Sequence, residues 1–107
     1  VVSVDKLNPH KIYEKSEDVV SRDIHGEFII IPITSGTGDL EDEFFTLNET
    51  GKEIWDRIDG IKTVIELAEE LVKKFDGPEK EIERDVTGLM EELYKRRIII
   101  ERTVSLQ

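Results

Sequence analysis

The chain has 107 residues, of which 37% are hydrophobic and 37% charged, with no cysteine, two histidines and a formal net charge of -10. That length supports one hydrophobic core rather than two, and the lack of cysteine excludes disulfides, thiolate metal sites and a thiol nucleophile. The acidity repels phosphate backbones and counts against unaided nucleic-acid binding, while it suits a protein partner that carries basic patches.

No apolar run approaches the roughly 20 residues of a membrane-spanning helix. No basic segment leads into an apolar one, as a secretion signal requires. No membrane partner is expected, and the cytoplasm is the default compartment. The chain begins at Val1 rather than at a methionine, which leaves room for a preceding segment.

Residues 1–18 are mixed and weakly patterned and read as an N-terminal arm. Val19 to Ile24 form a candidate first strand, and His25-Gly26 turns the chain. Glu27 to Ile33 (EFIIIPI) is the clearest strand, rich in β-branched residues. Pro32 lacks an amide hydrogen and belongs near a strand end or an unpaired edge. Residues 34–43 (TSGTGDLEDE) read as a loop, and Phe44 to Leu47 as a third strand. Three short strands in succession predict a meander.

Asn48 is a good helix N-cap, because its side-chain oxygen accepts an orphan amide of the first turn. Glu49 places a negative charge where the helix dipole favours it. Gly51 costs about 1 kcal/mol of helix propensity relative to alanine, which close contact between this turn and the sheet would explain. Ile54, Trp55 and Ile58 supply the buried face, and Asp59-Gly60 ends the helix, with Gly60 as a left-handed C-cap. Thr63 and Glu66 form a capping box for a second helix. Its apolar stripe runs from Val64 to Phe75. Pro78 opens a third helix through about Arg97, with Ile82, Val86, Leu89, Met90 and Leu93 facing inward. Ile98 to Ile100 make a final strand or wing.

The expected fold is therefore α+β. It is winged helix-turn-helix-like, with an N-terminal three-stranded antiparallel sheet, three helices and a short C-terminal strand. The expected layout is an arm at 1–18, the domain at 19–102 and a tail at 103–107.

Candidate chemistry is sparse. The many carboxylates around the start of the third helix read as a solvated surface. His10 and His25 lie in or beside loops with no metal-ligand spacing. Ser35-Gly36-Thr37-Gly38 lacks the spacing and the lysine of a phosphate loop. Trp55 sits on an apolar helix face and reads as core. No catalytic residue, metal or cofactor is assigned. A DNA-reading helix needs outward Arg, Lys, Asn or Gln, whereas Glu79 to Glu92 offers six acids against Lys80 and Arg84. The meander leaves an edge that can accept an extended chain through main-chain hydrogen bonds. Strand parity puts Leu47 and Phe45 toward the core and Phe44 and Thr46 on the other side.

The stretch FFTLNETGKEIWDRIDGIKTVIELAEELVKKFDGPEKEIERDVTGLMEELYKRRII resembles the PqqD-like family. Leu47, Asn48, Thr50, Gly51, Ile54, Trp55, Asp59, Gly60, Thr63, Asp85, Val86 and Leu93 match its pattern in order, and EFIIIPI matches its second strand. The resemblance covers roughly residues 19–100. It implies a non-catalytic winged-helix domain that recognises the leader segment of a ribosomally made precursor peptide. The leader is presented to a radical S-adenosylmethionine enzyme or another peptide-modifying enzyme. Pyrroloquinoline quinone synthesis is the founding pathway and one option among several. The leader adds as a strand to the third strand, in a groove against the third helix. On this chain that groove comprises Phe44, Phe45 and Thr46 on one side, and Arg84, Asp85, Gly88 and Leu89 on the other, with Gly88 widening it. The chain departs from the pattern at Arg97, where the family often has glycine, and in the acidic run 39–43. Two alternative readings remain: a winged-helix DNA-binding regulator, and a structural subunit that forms a homodimer through its sheet edge.

Overall fold

A computed structural model describes residues 7–33 and 44–102. The elements in chain order are β1 (Tyr13–Lys15), β2 (Val19–Ile24), β3 (Glu27–Pro32), β4 (Phe45–Leu47), α1 (Glu49–Arg57), α2 (Val64–Lys74), α3 (Glu79–Lys95) and β5 (Ile99–Glu101). The expected loop at 34–43, with its phosphate-loop-like and acidic stretches, lies outside the described residues, as does the tail.

The meander is present. β2, β3 and β4 form an antiparallel sheet in that order, with Val20 opposite Ile31 and Ile29 opposite Thr46. His25 and Gly26 both have positive φ, 54° and 85°. A two-residue turn of that kind matches the twist of the strands it joins. Pro32 ends β3 opposite Val19, where its missing donor is tolerated.

The N-terminal segment differs from the arm expected of it. Tyr13–Lys15 pairs antiparallel with β5, so the C-terminal strand forms a separate two-stranded ribbon with the start of the chain. Leu7 and Tyr13 are buried in the common core. The Tyr13 hydroxyl accepts a hydrogen bond from the Asn8 amide at 2.9 Å, and its ring meets Tyr94 edge-on with centroids 5.2 Å apart. Short β pairing with a distant strand leaves little trace in local sequence, because its partner is supplied by the tertiary fold.

The strand-to-helix corner is built as its residues dictate. Asn48 Oδ1 accepts the Gly51 amide at 2.8 Å. A Cβ at Gly51 would stand 3.0 Å from Leu47 Cδ2 and 3.2 Å from Leu47 Cβ. The glycine lets the first turn of α1 close onto β4. Ile54 and Trp55 are buried, and the Lys15 ammonium lies 4.7 Å from the indole centroid. α1 ends earlier than the sequence suggests: the C-cap is Ile58, in extended conformation, and Gly60 takes its positive φ of 75° in the following turn. Asp59 organises that turn by accepting the amides of Ile61 and Lys62. The Arg102 guanidinium donates to the Gly60 carbonyl, which ties the turn to the end of the ribbon.

α2 carries the expected capping box, with Thr63 and Glu66 each accepting from the other's amide. Pro78 stands at the N-cap of α3 rather than at its first helical position. Leu67, Leu71, Val86, Met90 and Leu93 are almost wholly buried. Each such side chain contributes about 1.5–3 kcal/mol relative to exposure, which makes this helix pair a main part of the core. α3 closes on a paired motif: the Arg97 amide donates to the Tyr94 carbonyl and the Ile98 amide to the Leu93 carbonyl.

Candidate binding cleft

β4 is the edge of its sheet. It pairs with β3 on one side and, among the described residues, with no strand on the other. Backbone donors and acceptors of alternate residues point to each edge of a strand, so part of the β4 main chain remains available for pairing. The free edge borders a cleft of about 830 Å³ that is lined on the sheet side by Phe45, Thr46 and Leu47. Asp85 and Leu89, one turn apart on α3, line it from the opposite side. The hairpin residues Gly26 and Glu27 and the α1 start, Asn48 to Gly51 with Ile54, complete the wall.

Strand parity explains the inner surface. Leu47 is buried, Phe45 half-buried against the core and Thr46 exposed. At the C-cap of α3, the Arg96 guanidinium carbon lies 4.9 Å from the Phe45 ring centroid. Arg96 Nε also donates to Glu92 Oε2 at 2.7 Å. The strand and the C-cap of α3 thus meet through a cation over an aromatic face.

Of the seven residues expected to form a groove, Phe45, Thr46, Asp85 and Leu89 lie together along this cleft. Phe44 precedes β4 and is 55% exposed. Arg84 and Gly88 lie on an adjacent face of α3, in a shallow depression of about 490 Å³ shared with Lys80, Glu83, Thr87 and Glu91. A Cβ at Gly88 would meet nothing within 4 Å. Sequence reading missed Glu27, Glu49 and Thr50 as cleft residues. The strand-to-helix corner signalled the place of the last two, whereas Glu27 arrives only through the β3–β4 register.

The site offers an unpaired strand edge and apolar contact. Among the described residues there is no group of three potential metal ligands and no buried polar side-chain atom without a partner. His10 and His25 are exposed. No helix of the described residues is long and apolar enough to cross a membrane.

Fold and cleft together define a small α+β domain with an open sheet edge set against a long helix. The chain belongs to the PqqD family, described as coenzyme PQQ synthesis protein D, which matches residues 27–99. Two solved structures share the fold. One is TbiB1 in complex with the TbiA(beta) leader peptide, with a TM-score of 0.63 and 22% identity, covering 80% of this chain and 93% of that one. The other is lasso peptide synthetase B1 complexed with the leader peptide, with a TM-score of 0.65 and 16% identity, covering 82% and 96%. No relative was found among curated proteins.

Proposed function

We propose that this protein binds the leader segment of a ribosomally made precursor peptide and presents it to a separate modifying enzyme, without catalysis of its own. The leader adds as a further strand to β4 and lies in the cleft against α3. The observation that carries this reading is the unpaired β4 edge facing Asp85 and Leu89 across the cleft. Family membership and two leader-bound structures of the same fold support it. Backbone pairing supplies affinity and the cleft walls select side chains. Holding the leader raises the local concentration of the attached substrate near the enzyme, a radical S-adenosylmethionine enzyme being the family's founding example. The cytoplasm, where ribosomal products first emerge, is the compartment this role requires. The acids of α3 speak against DNA reading, because Glu79, Glu81, Glu83 and Asp85 crowd the half that would approach phosphates.

The test replaces Leu89, half-buried on the cleft wall, with glutamate. Titrated with a labelled extended peptide selected for binding to the parent chain from a random library, Leu89→Glu loses at least about tenfold in affinity, or about 1.4 kcal/mol, while its circular dichroism stays that of the parent. Undiminished affinity removes the cleft from the binding site.

A further inference from the structure

The charge of the cleft is uneven, and its unevenness names the side chain that the bound segment carries. Glu27, Glu49 and Asp85 line it, and no lysine or arginine does. Among the described residues none of these three carboxylates takes part in an ion pair, as holds for most of the carboxylates there. The register brings Glu27 to the Leu47 end of β4, since Phe28 pairs with Leu47. Glu49 opens α1 directly beyond, and Asp85 stands across on α3. The other end of β4 meets the Arg96 cation through Phe45. One end of the site is therefore acidic and the other carries a positive charge already engaged by Glu92.

The N-terminus of α1 works in the opposite sense, with the equivalent of about half a positive charge. Asn48 Oδ1 already occupies the Gly51 amide there, and three full carboxylates outweigh the remainder. We infer that the segment added to β4 carries a lysine or arginine whose cationic head sits among Glu27, Glu49 and Asp85, with apolar residues two positions away over Leu89 and Ile54. The inference rests on the strand-addition reading above and adds to it a requirement for positive charge at one position. Side chains of an added strand alternate, which fixes the two-residue spacing.

The test displays random nine-residue segments between fixed neutral flanks and sorts them on the full chain, retaining those that the Leu89→Glu variant does not bind. Enrichment of lysine or arginine at one position, with apolar residues two away, is the expected result. An acetylated synthetic peptide from that set should bind about fivefold more weakly when the cation is replaced by glutamine. The difference should shrink to about twofold near 0.5 M salt, because exposed charges are screened over a few ångströms there. Glu49→Gln combined with Asp85→Asn, both at exposed positions, should bind the lysine and glutamine peptides alike. Retained segments with no basic preference, or a lysine preference that survives the double variant, overturn the inference and leave strand addition standing. A library with no segment that depends on Leu89 overturns both.

Discussion

Arg97 follows the C-cap of α3 with a φ of 63°, a conformation that costs an L-residue with a Cβ roughly 1–2 kcal/mol. The backbone bonds from Arg97 and Ile98 back to Tyr94 and Leu93 require it, and glycine is the usual occupant of such a position. Arg97→Gly should therefore raise stability by about 1 kcal/mol, visible as a higher urea midpoint at unchanged slope; a lower midpoint would mean that the arginine side chain holds the turn. Asp59 works in the other direction. Lys62, hydrogen-bonded at 2.6 Å, is the main cause of a carboxyl pKa below the ordinary 3.8, and the amides of Ile61 and Lys62 add to it against burial. A depressed folded-state pKa contributes stability that is fully present above 3.8 and is lost as pH falls through the folded value. Asp59→Ala should cost about 1 kcal/mol near neutral pH. The gap to the parent should close on acidification below that range, and a gap independent of pH would assign the effect to packing.

The ribbon of β1 and β5 turns the two ends of the domain into one element. Leu7 and Tyr13 join the core from a segment whose sequence has no period to announce it. Total stabilities of domains this size are about 5–15 kcal/mol, so two buried side chains are a large share. Tyr13→Ala should lose about 3–5 kcal/mol, as large aromatic truncations do, and Tyr13→Phe only about 1 kcal/mol for the bond to the Asn8 amide. Thermal unfolding of the pair separates packing from hydrogen bonding, and near-equal losses would mean that the hydroxyl matters more than the ring. β4 shows the opposite case. Its burial alternation, its cap at Asn48 and the glycine at position 51 were all readable locally, because a strand, a cap and a close approach each constrain neighbouring residues.

For the whole molecule, the free edge of β4 lies beside a helix whose cleft-facing residues come from the same stretch that packs the core. A strand added there becomes the fourth of the sheet and leaves the hydrophobic interior undisturbed. Binding of a leader peptide should therefore slow amide hydrogen exchange at alternate residues of β4, with helix α2 unchanged. Protection spread evenly over α1, α2 and α3 would point instead to general stiffening and against edge pairing.

The amino-acid sequence by itself determined the meander, the capped corner at Asn48 and Gly51, the boxed start of α2 and the inner face of α3. Each of those depends on period, capping or backbone freedom within a few neighbouring residues. The tertiary structure decided which strand pairs with β5, where Glu27 lies, and that Arg84 and Gly88 lie on the α3 face adjacent to the cleft that Asp85 and Leu89 line. Those outcomes depend on strand register and on how far each residue is rotated about the α3 axis once its apolar stripe is buried, and both are fixed only when the elements pack against one another.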